Sequence, residues 1–253
     1  MSITEIASLA RRGSGTAVAT RLSALAPLEA HSVALLESLG SLRSVPAGVE
    51  LIDERGFPPR ALFIVKGWVA RVRGLPDGRR QILSVLLPGD ALGLCFRPHP
   101  LALGSAVSLT PVQLLDASPV VAAIESGQPQ WRDLDQALHV SAGMHEAYLL
   151  DQVTRLGRMT AYERLSHLFL ELRDRLELAG LSAGRRFPMP LTQETLADAT
   201  GLSTVHVNRT LQQLRRDGEL DLRHGSVTLN DPEALAQICD YHQPAPSRWL
   251  SRP

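Results

Sequence analysis

The residues with the clearest chemistry lie together in "GLSTVHVNRTLQQL", residues 201–214. Five outward-facing side chains at the start of the second predicted helix are able to address base edges: Thr204, Val205, His206, Asn208 and Arg209. An arginine fork fits guanine at two points, an asparagine amide fits adenine, and an apolar side chain contacts the thymine methyl group. The pattern therefore predicts a helix that reads duplex DNA. Two alternatives remain: Arg209 pairs with Asp217 or Glu194, and Asn208 simply faces solvent.

Local signals predict how this helix is held. Thr192 is a suitable N-cap for a short helix over residues 193–200. Gly201 then permits a left-handed turn, and Ser203 caps a second helix that runs to about Asp217. Two short helices joined by a tight glycine turn are typical of a helix-turn-helix.

A β-hairpin is predicted directly after these helices. Apolar residues alternate on both sides of His224-Gly225: Leu220, Leu222, Val227 and Leu229. This hairpin forms a wing, on which Arg223 and His224 are placed to cover a phosphate. Asp231 and Pro232 then begin a last helix, because a cap followed by proline is favoured there.

The first half of the chain has a different pattern. After a helical stretch over residues 21–42, short β-prone runs alternate with glycine-containing turns from about residue 44 to 120. The stretch "LPDGRRQI" predicts a hairpin, because Asp-Gly tolerates positive φ. Several short strands at this spacing predict a small sandwich or barrel.

A long helix is predicted between the two halves, from about residue 129 to 156. Six residues follow each other by fours and threes on one face: Leu134, Leu138, Ser141, His145, Tyr148 and Gln152. About 27 helical residues span roughly 40 Å, more than one small sandwich can cover. We therefore expect this stripe to form a parallel coiled coil with a second copy of the chain. The alternative is a helix packed wholly inside its own chain.

Composition limits the function classes. The 253 residues carry no net charge, so a polyanion must be bound by a local basic patch. Two distant cysteines exclude a disulfide framework and a thiolate metal cluster built from this chain alone. No apolar run approaches the 18 or so residues that span a bilayer, and the first residues do not resemble a signal peptide. We expect a cytoplasmic protein that does not bind membranes and, since no catalytic motif occurs, is not an enzyme.

Three segments in register resemble the Crp/Fnr superfamily of bacterial transcription regulators. "LTQETLADATGLSTVHVNRTLQQLRRDGEL" resembles its winged helix-turn-helix, "GWVARV" with "LPDGRRQILSVLLPGDALGL" its cyclic-nucleotide-binding-type β-roll, and "RMTAYERLSHLFLELRDRL" the joining helix. The resemblance implies an α+β fold with a jelly-roll-like N-terminal β-roll sensor domain. It also implies a homodimer that binds a pseudo-palindromic DNA operator and contacts RNA polymerase.

The domain boundaries expected from this resemblance are a flexible N-terminus over residues 1–20 and a β-roll over 21–127. A dimerisation helix over 128–157 and a winged helix-turn-helix over 158–240 follow, and a flexible tail over 241–253 ends the chain.

The resemblance assigns site residues individually. It places Thr204, Val205, Asn208 and Arg209 at the base-reading positions, and it places three further residues near phosphates: Gln193, Ser203 and His206. Val205 departs from the glutamate that many relatives carry at this position. The operator therefore need not be the usual half-site of the family.

The sensor end lacks the groups that hold cyclic AMP in the family, a Gly-Glu pair and an Arg-Ser pair. Gly93-Leu94 and Gly104-Ser105 stand there instead, so a buried cyclic phosphate has no charge partner. We predict no cyclic-nucleotide binding and no cofactor. One alternative is a haem- or thiol-based redox or gas sensor that uses Cys95 and His99. The alternative from another class is a scaffold whose winged helix binds protein instead of DNA.

Overall fold

A computed structural model describes residues 15–40, 42–53, 61–94, 104–182 and 184–245. Its helices are α1 Thr16–Leu25, α2 Ala30–Glu37, α3 Ser118–Glu125, α4 Arg132–Arg158, α5 Ala161–Leu178, α6 Gln193–Thr200, α7 Thr204–Arg216 and α8 Pro232–Ile238. Its strands are β1 Arg43–Val45, β2 Glu50–Ile52, β3 Leu62–Lys66, β4 Val69–Gly74, β5 Arg80–Leu86, β6 Ala91–Leu92, β7 Ser105–Ser108, β8 Val112–Asp116, β9 Arg186–Pro188, β10 Leu220–Arg223 and β11 Ser226–Leu229.

Two antiparallel four-stranded sheets form the N-terminal domain, in the orders β1-β8-β3-β6 and β2-β7-β4-β5. Alternate residues of both sheets share one core: Val45, Ile64, Val69, Leu86, Leu92, Ala106, Val112 and Leu114. The hairpin between β4 and β5 turns at Asp77-Gly78, where Gly78 has a φ of 84°. The predicted α+β fold with a β-roll is confirmed.

Both predicted flexible ends are too long. Helix α1 begins at Thr16, and its Val18 and Leu22 are buried against Phe63, so the predicted flexible N-terminus is wrong for residues 16–20. At the other end Tyr241 is buried, and its hydroxyl donates to Asp174 at 2.9 Å. In both places apolar or aromatic side chains complete the core through contacts with residues distant in the sequence, which local patterns do not show.

The long helix α4 forms as expected. The prediction that its most apolar face forms the dimer interface is wrong. All six residues contact this chain's own elements and are buried or nearly so: Leu134, Leu138, Ser141, His145, Tyr148 and Gln152. Leu134 and Leu138 pack with Leu22 of α1. Helices α1 and α5 and the β-roll cover this stripe, which therefore packs inside the chain, whereas the alternative of a helix packed wholly inside its own chain does not hold for the opposite face of α4.

A second stripe of α4 faces solvent. Its members follow each other by threes and fours and are all exposed: Gln136, His139, Gly143, Glu146, Leu150, Val153 and Gly157. Leu150 and Val153 are 64% and 69% exposed, one helical turn apart. We call these seven residues the outer stripe.

A buried carboxylate, Asp90, ties the long helix to its neighbours. Its Oδ1 lies 2.7 Å from Arg21 Nη2 and accepts from His145 Nε2 at 3.0 Å. Its Oδ2 lies 3.0 Å from Arg175 Nη2 and accepts from the Leu87 amide at 2.7 Å. A carboxylate only accepts hydrogen bonds, so the neutral His145 carries its proton on Nε2.

The same network continues toward the C-terminal domain. Arg175 Nη1 donates to Glu171 at 2.8 Å, and Glu171 also pairs with Arg155. Arg155 donates to Gln152 at 2.5 Å and to His167 Nδ1 at 3.0 Å. Three arginines thus share two carboxylates in the interior, so each carboxylate is needed to balance buried positive charge.

His167 makes the fold sensitive to acid. Burial lowers the pKa of His167 to about 4, and the positive charge of Arg155 acts in the same direction. An unfolded histidine has a pKa near 6.5, so between pH 6.5 and 4 the unfolded chain binds more protons. This contribution to stability is present above pH 6.5 and is lost as the pH falls toward 4. We expect His167→Gln to reduce the pH slope of the unfolding free energy by up to about 1.4 kcal/mol per pH unit in this window.

Denaturant titrations at fixed protein concentration and several pH values measure this slope. His206→Gln, at an exposed position, is the control and should keep the wild-type slope. A His167→Gln protein with the wild-type slope would contradict the assignment of this proton to His167.

Candidate nucleic-acid interface

Local caps build the helix-turn-helix as the sequence predicts. Thr192 Oγ1 accepts from the Thr195 amide at 3.1 Å at the start of α6, and Ser203 Oγ accepts from the His206 amide at 3.2 Å at the start of α7. Between them Gly201 adopts φ 65° and ψ 31°, the left-handed region in which a side chain is strained. The turn therefore requires glycine.

The two helices share a core with α5, the wing and α8. Its members include Leu165, Phe169, Leu196, Ala199, Val207, Leu211, Leu214, Leu220, Val227 and Leu235. The wing is the hairpin β10–β11, and β9 pairs with β11 to complete a three-stranded sheet. His224 and Gly225 both have positive φ, 50° and 72°, as a two-residue hairpin of this type requires. The predicted wing is confirmed.

Helix α6 is held against the sensor domain as well. Its last three carbonyl groups, which have no partner inside the helix, each accept from a different element. Asp198 O accepts from Gln81 of β5 at 2.7 Å, Ala199 O from Gln152 of α4 at 2.7 Å, and Thr200 O from Arg164 of α5 at 2.9 Å. These bonds fix the orientation of the helix-turn-helix relative to the β-roll and the long helix.

The four predicted base-reading residues lie together at the start of α7. Thr204, Val205 and Arg209 are exposed, and Val205 reaches 80%. Together with Asn208, Gln193 and Gln212 they line one open groove. The face can thus present a guanidinium fork, an amide and an apolar group to one ligand.

The alternative role of Arg209 finds no support in the described part of the chain. Both possible partners, Glu194 and Asp217, are described, and neither forms an ion pair with Arg209. Asp217 lies instead near Tyr162, whose pKa is raised to about 12 by burial and by the nearby carboxylates of Glu219 and Asp217. The Arg209 fork is therefore available to a ligand.

Asn208 does not simply face solvent. It is half-buried; its Nδ2 donates to Gln193 Oε1 at 3.0 Å, and its Oδ1 accepts from Gln212 Nε2 at 2.8 Å. Gln212 was not among the residues predicted from the sequence, although its spacing of four from Asn208 is a signal for a side-chain hydrogen bond on a helix. The contact with Gln193 depends on how α6 and α7 cross, so spacing alone does not reveal it.

The residues assigned to phosphates surround this face. Ser203 and His206 are exposed at the first turn of α7, where unpaired amide groups favour anions. Arg223 on the wing is also exposed and pairs with Asp221 at 2.7 Å. An exposed pair of this kind contributes little, so Arg223 can exchange Asp221 for a phosphate.

At the sensor end, Gly93-Leu94 and Gly104-Ser105 are described, whereas Cys95 and His99 lie outside the described residues. The second cysteine, Cys239, is buried, and burial raises the pKa of its thiol to about 11. Cys239 is therefore protonated at neutral pH and is a poor metal ligand or redox group. Within the described ranges, no helix has the length and apolar character needed to cross a membrane.

Comparisons with known proteins agree with this architecture. Residues 42–119 match the model of the cyclic nucleotide-binding domain, and residues 163–238 match that of the Crp-like helix-turn-helix domain. Nitrogen fixation regulation protein FixK of Bradyrhizobium diazoefficiens is 31% identical over 222 residues, which cover 86% of this chain and 92% of that protein. Transcriptional activator protein FnrL of Cereibacter sphaeroides is 29% identical over 79% of this chain and 82% of its own length.

Solved structures support the same assignment. FixK2 from Bradyrhizobium japonicum superposes with a TM-score of 0.64 at 27% identity, over 78% of this chain and 96% of that one. These relatives are regulators, in agreement with the expectation that the chain is not an enzyme. The chain belongs to the Crp/Fnr family and is a DNA-binding transcriptional regulator.

Proposed function

We propose that the protein acts as a homodimer that places one helix α7 in each of two adjacent major grooves of a pseudo-palindromic operator. The observation that carries this proposal is the exposed cluster of Thr204, Val205, Asn208 and Arg209 at the start of α7. In helix-turn-helix proteins this end of the recognition helix contacts base edges, and a dimer grips two half-sites one helical turn apart. Such a regulator acts in the cytoplasm and meets RNA polymerase, the partner that the family implies.

The outer stripe of α4 is the proposed dimer surface. Its alternation of threes and fours is the spacing of a coiled-coil seam, and Gly143 and Gly157 allow close approach of two helices. Leu150 and Val153 provide the apolar contact, which a monomer leaves in water. This stripe replaces the one predicted from the sequence, because the chain's own core already covers the latter.

The remaining predicted residues fit contacts to the DNA backbone. Ser203, His206 and Arg223 flank the base-reading cluster and offer donors to phosphate oxygens. Gln193 accepts from Asn208 through its carbonyl oxygen, so its amide N–H groups are left to donate to a phosphate. Val205 offers only methyl groups, which suit a thymine methyl rather than a cytosine amine.

We also propose that cyclic AMP is not the effector. Leu94 and Gly104 stand where a carboxylate and a cation hold the ligand in family members that bind it. The partly open cavity between β5 and α4, lined by Ser84, Gln152 and Arg155 among others, has room for about one water molecule. A role for haem or thiol chemistry at Cys95 and His99 is the alternative, and an absorbance spectrum of freshly purified protein tests it.

Arg209→Ala tests the proposed readout. We expect a loss of about 1–3 kcal/mol in binding free energy on the selected operator, because a bidentate contact to guanine is removed. Random duplex DNA should lose far less. Fluorescence anisotropy with both duplexes at one salt concentration measures the two losses.

Equal losses on both duplexes would show that Arg209 contacts only phosphate or supports the fold. A wild-type protein that binds no duplex, or binds without dependence on salt, would instead favour the protein-binding scaffold, because phosphate contacts release counterions.

A further inference from the structure

Three amide side chains from two helices are joined in one row across the groove of the helix-turn-helix. Gln193 begins α6, and Asn208 and Gln212 lie four residues apart on α7. The hydrogen bonds measure 3.0 Å from Asn208 Nδ2 to Gln193 Oε1 and 2.8 Å from Gln212 Nε2 to Asn208 Oδ1. We call these residues the amide triad.

The two bonds leave Asn208 with a defined recognition capacity. An amide nitrogen carries two N–H donors and an amide oxygen accepts two hydrogen bonds, and the triad uses one of each. One donor and one acceptor remain on the same planar group. Adenine presents the complementary pair in the major groove, the N7 acceptor and the N6 amino donor.

The triad also removes the freedom of Asn208 to rotate. The side chain is half-buried and tied on both sides, so little further rotamer entropy is lost when it binds. Gln212 is exposed, and its contact to Asn208 is the hydrogen bond that orients it. The row lies beside Val205 and Arg209 in one groove, so a DNA segment that contacts these side chains also reaches Asn208.

We infer that Asn208 reads an adenine in each half-site and that Gln193 and Gln212 are positioning residues that hold its amide plane. This inference rests on the proposed function, since it requires α7 to lie in the major groove. The inference adds the identity of the base that Asn208 selects. It also adds two residues that affect this selection without contacting the base.

Selection of bound sequences from a pool of randomised duplexes, with the full-length protein, identifies the operator. We expect one adenine column per half-site that disappears with Asn208→Ala, whereas a separate guanine column that depends on Arg209 persists. On the selected operator, replacing that A·T pair should weaken wild-type binding by about 5- to 150-fold and should not affect the Asn208→Ala protein.

Gln212→Ala distinguishes positioning from direct reading. It should reduce the discrimination at the same adenine column by about 2- to 10-fold, the range for one hydrogen bond, and have no further effect when Asn208 is already alanine. Gln193→Glu keeps the acceptor for Asn208 and should preserve the adenine column, while the lost phosphate donor and the added negative charge weaken binding to all duplexes alike. Gln213→Ala, on the neighbouring exposed position, is the matched control and should behave as wild type.

An adenine column that survives Asn208→Ala would overturn the inference, as would a Gln212→Ala protein that changes a different column or none. Melting temperatures of the variants equal to wild type exclude a folding defect as the cause. A wild-type protein that enriches no sequence would refute the proposed function itself, which is a separate outcome.

Discussion

Asp90→Ala is expected to lower the free energy of unfolding by about 3–5 kcal/mol, because it leaves buried arginines without their counter-charge. Arg21 and Arg175 both pair with this carboxylate, and all three side chains are at most 2% exposed. Burial alone would raise the pKa of Asp90, but Arg21, His145 and Arg175 outweigh burial and hold its pKa well below the ordinary value. The carboxylate is therefore charged at neutral pH.

Calorimetric melting measures the effect, and for a chain of this size the loss corresponds to a melting temperature lower by about 6–20 °C. Asp90→Asn keeps the volume and should still destabilise strongly, which separates lost charge from an empty cavity. Asp77→Ala removes a carboxylate from an exposed ion pair with Arg79 and from a turn hydrogen bond to the Arg79 amide, and should lower the melting temperature far less. Equal melting of the Asp90 and Asp77 variants would contradict the role of the buried network.

The same network shows where sequence patterns stop being informative. Arginine and aspartate are almost always exposed, so nothing in the sequence marks Arg21, Asp90 and Arg175 as interior residues. These three residues meet only because three separate elements come together in space. The elements are α1, α5 and the turn that precedes β6. By contrast, Thr192, Gly201 and Ser203 act within one turn of their own positions, and for this reason the helix-turn-helix was predicted to within a residue or two.

Helix α4 illustrates the same distinction. Its length and composition are local properties and were predicted correctly, but it carries two stripes with coiled-coil spacing. The more apolar stripe, which contains Leu134 and Leu138, was assigned to a partner chain. The choice between the stripes depends on α1, which covers this face and was predicted to be partly flexible. A sequence shows that a face is apolar and leaves open which element buries it.

Val153→Glu is expected to convert the protein to a monomer and to weaken operator binding by about 100- to 10,000-fold. In a parallel coiled coil, equivalent residues of the two chains face each other, so the change places two like charges across the seam. Val153 is 69% exposed in one chain, so the monomer should remain folded. Operator affinity falls when the dimer is lost, because the second half-site is then no longer bound at high effective concentration. Sedimentation equilibrium and operator titration on the same sample measure both effects.

Two comparisons make this prediction specific to the outer stripe. Thr154→Glu adds the same charge at the next exposed residue of α4, which flanks the seam instead of lying in it, and should weaken the dimer far less. Leu138→Glu places the charge in the chain's own core and should unfold the protein rather than yield a folded monomer. A Val153→Glu protein that stays fully dimeric would place the interface elsewhere on the chain. A folded Leu138→Glu monomer would instead show that Leu138 is not needed in the chain's own core. The stripe that contains Leu138 would then be the dimer interface.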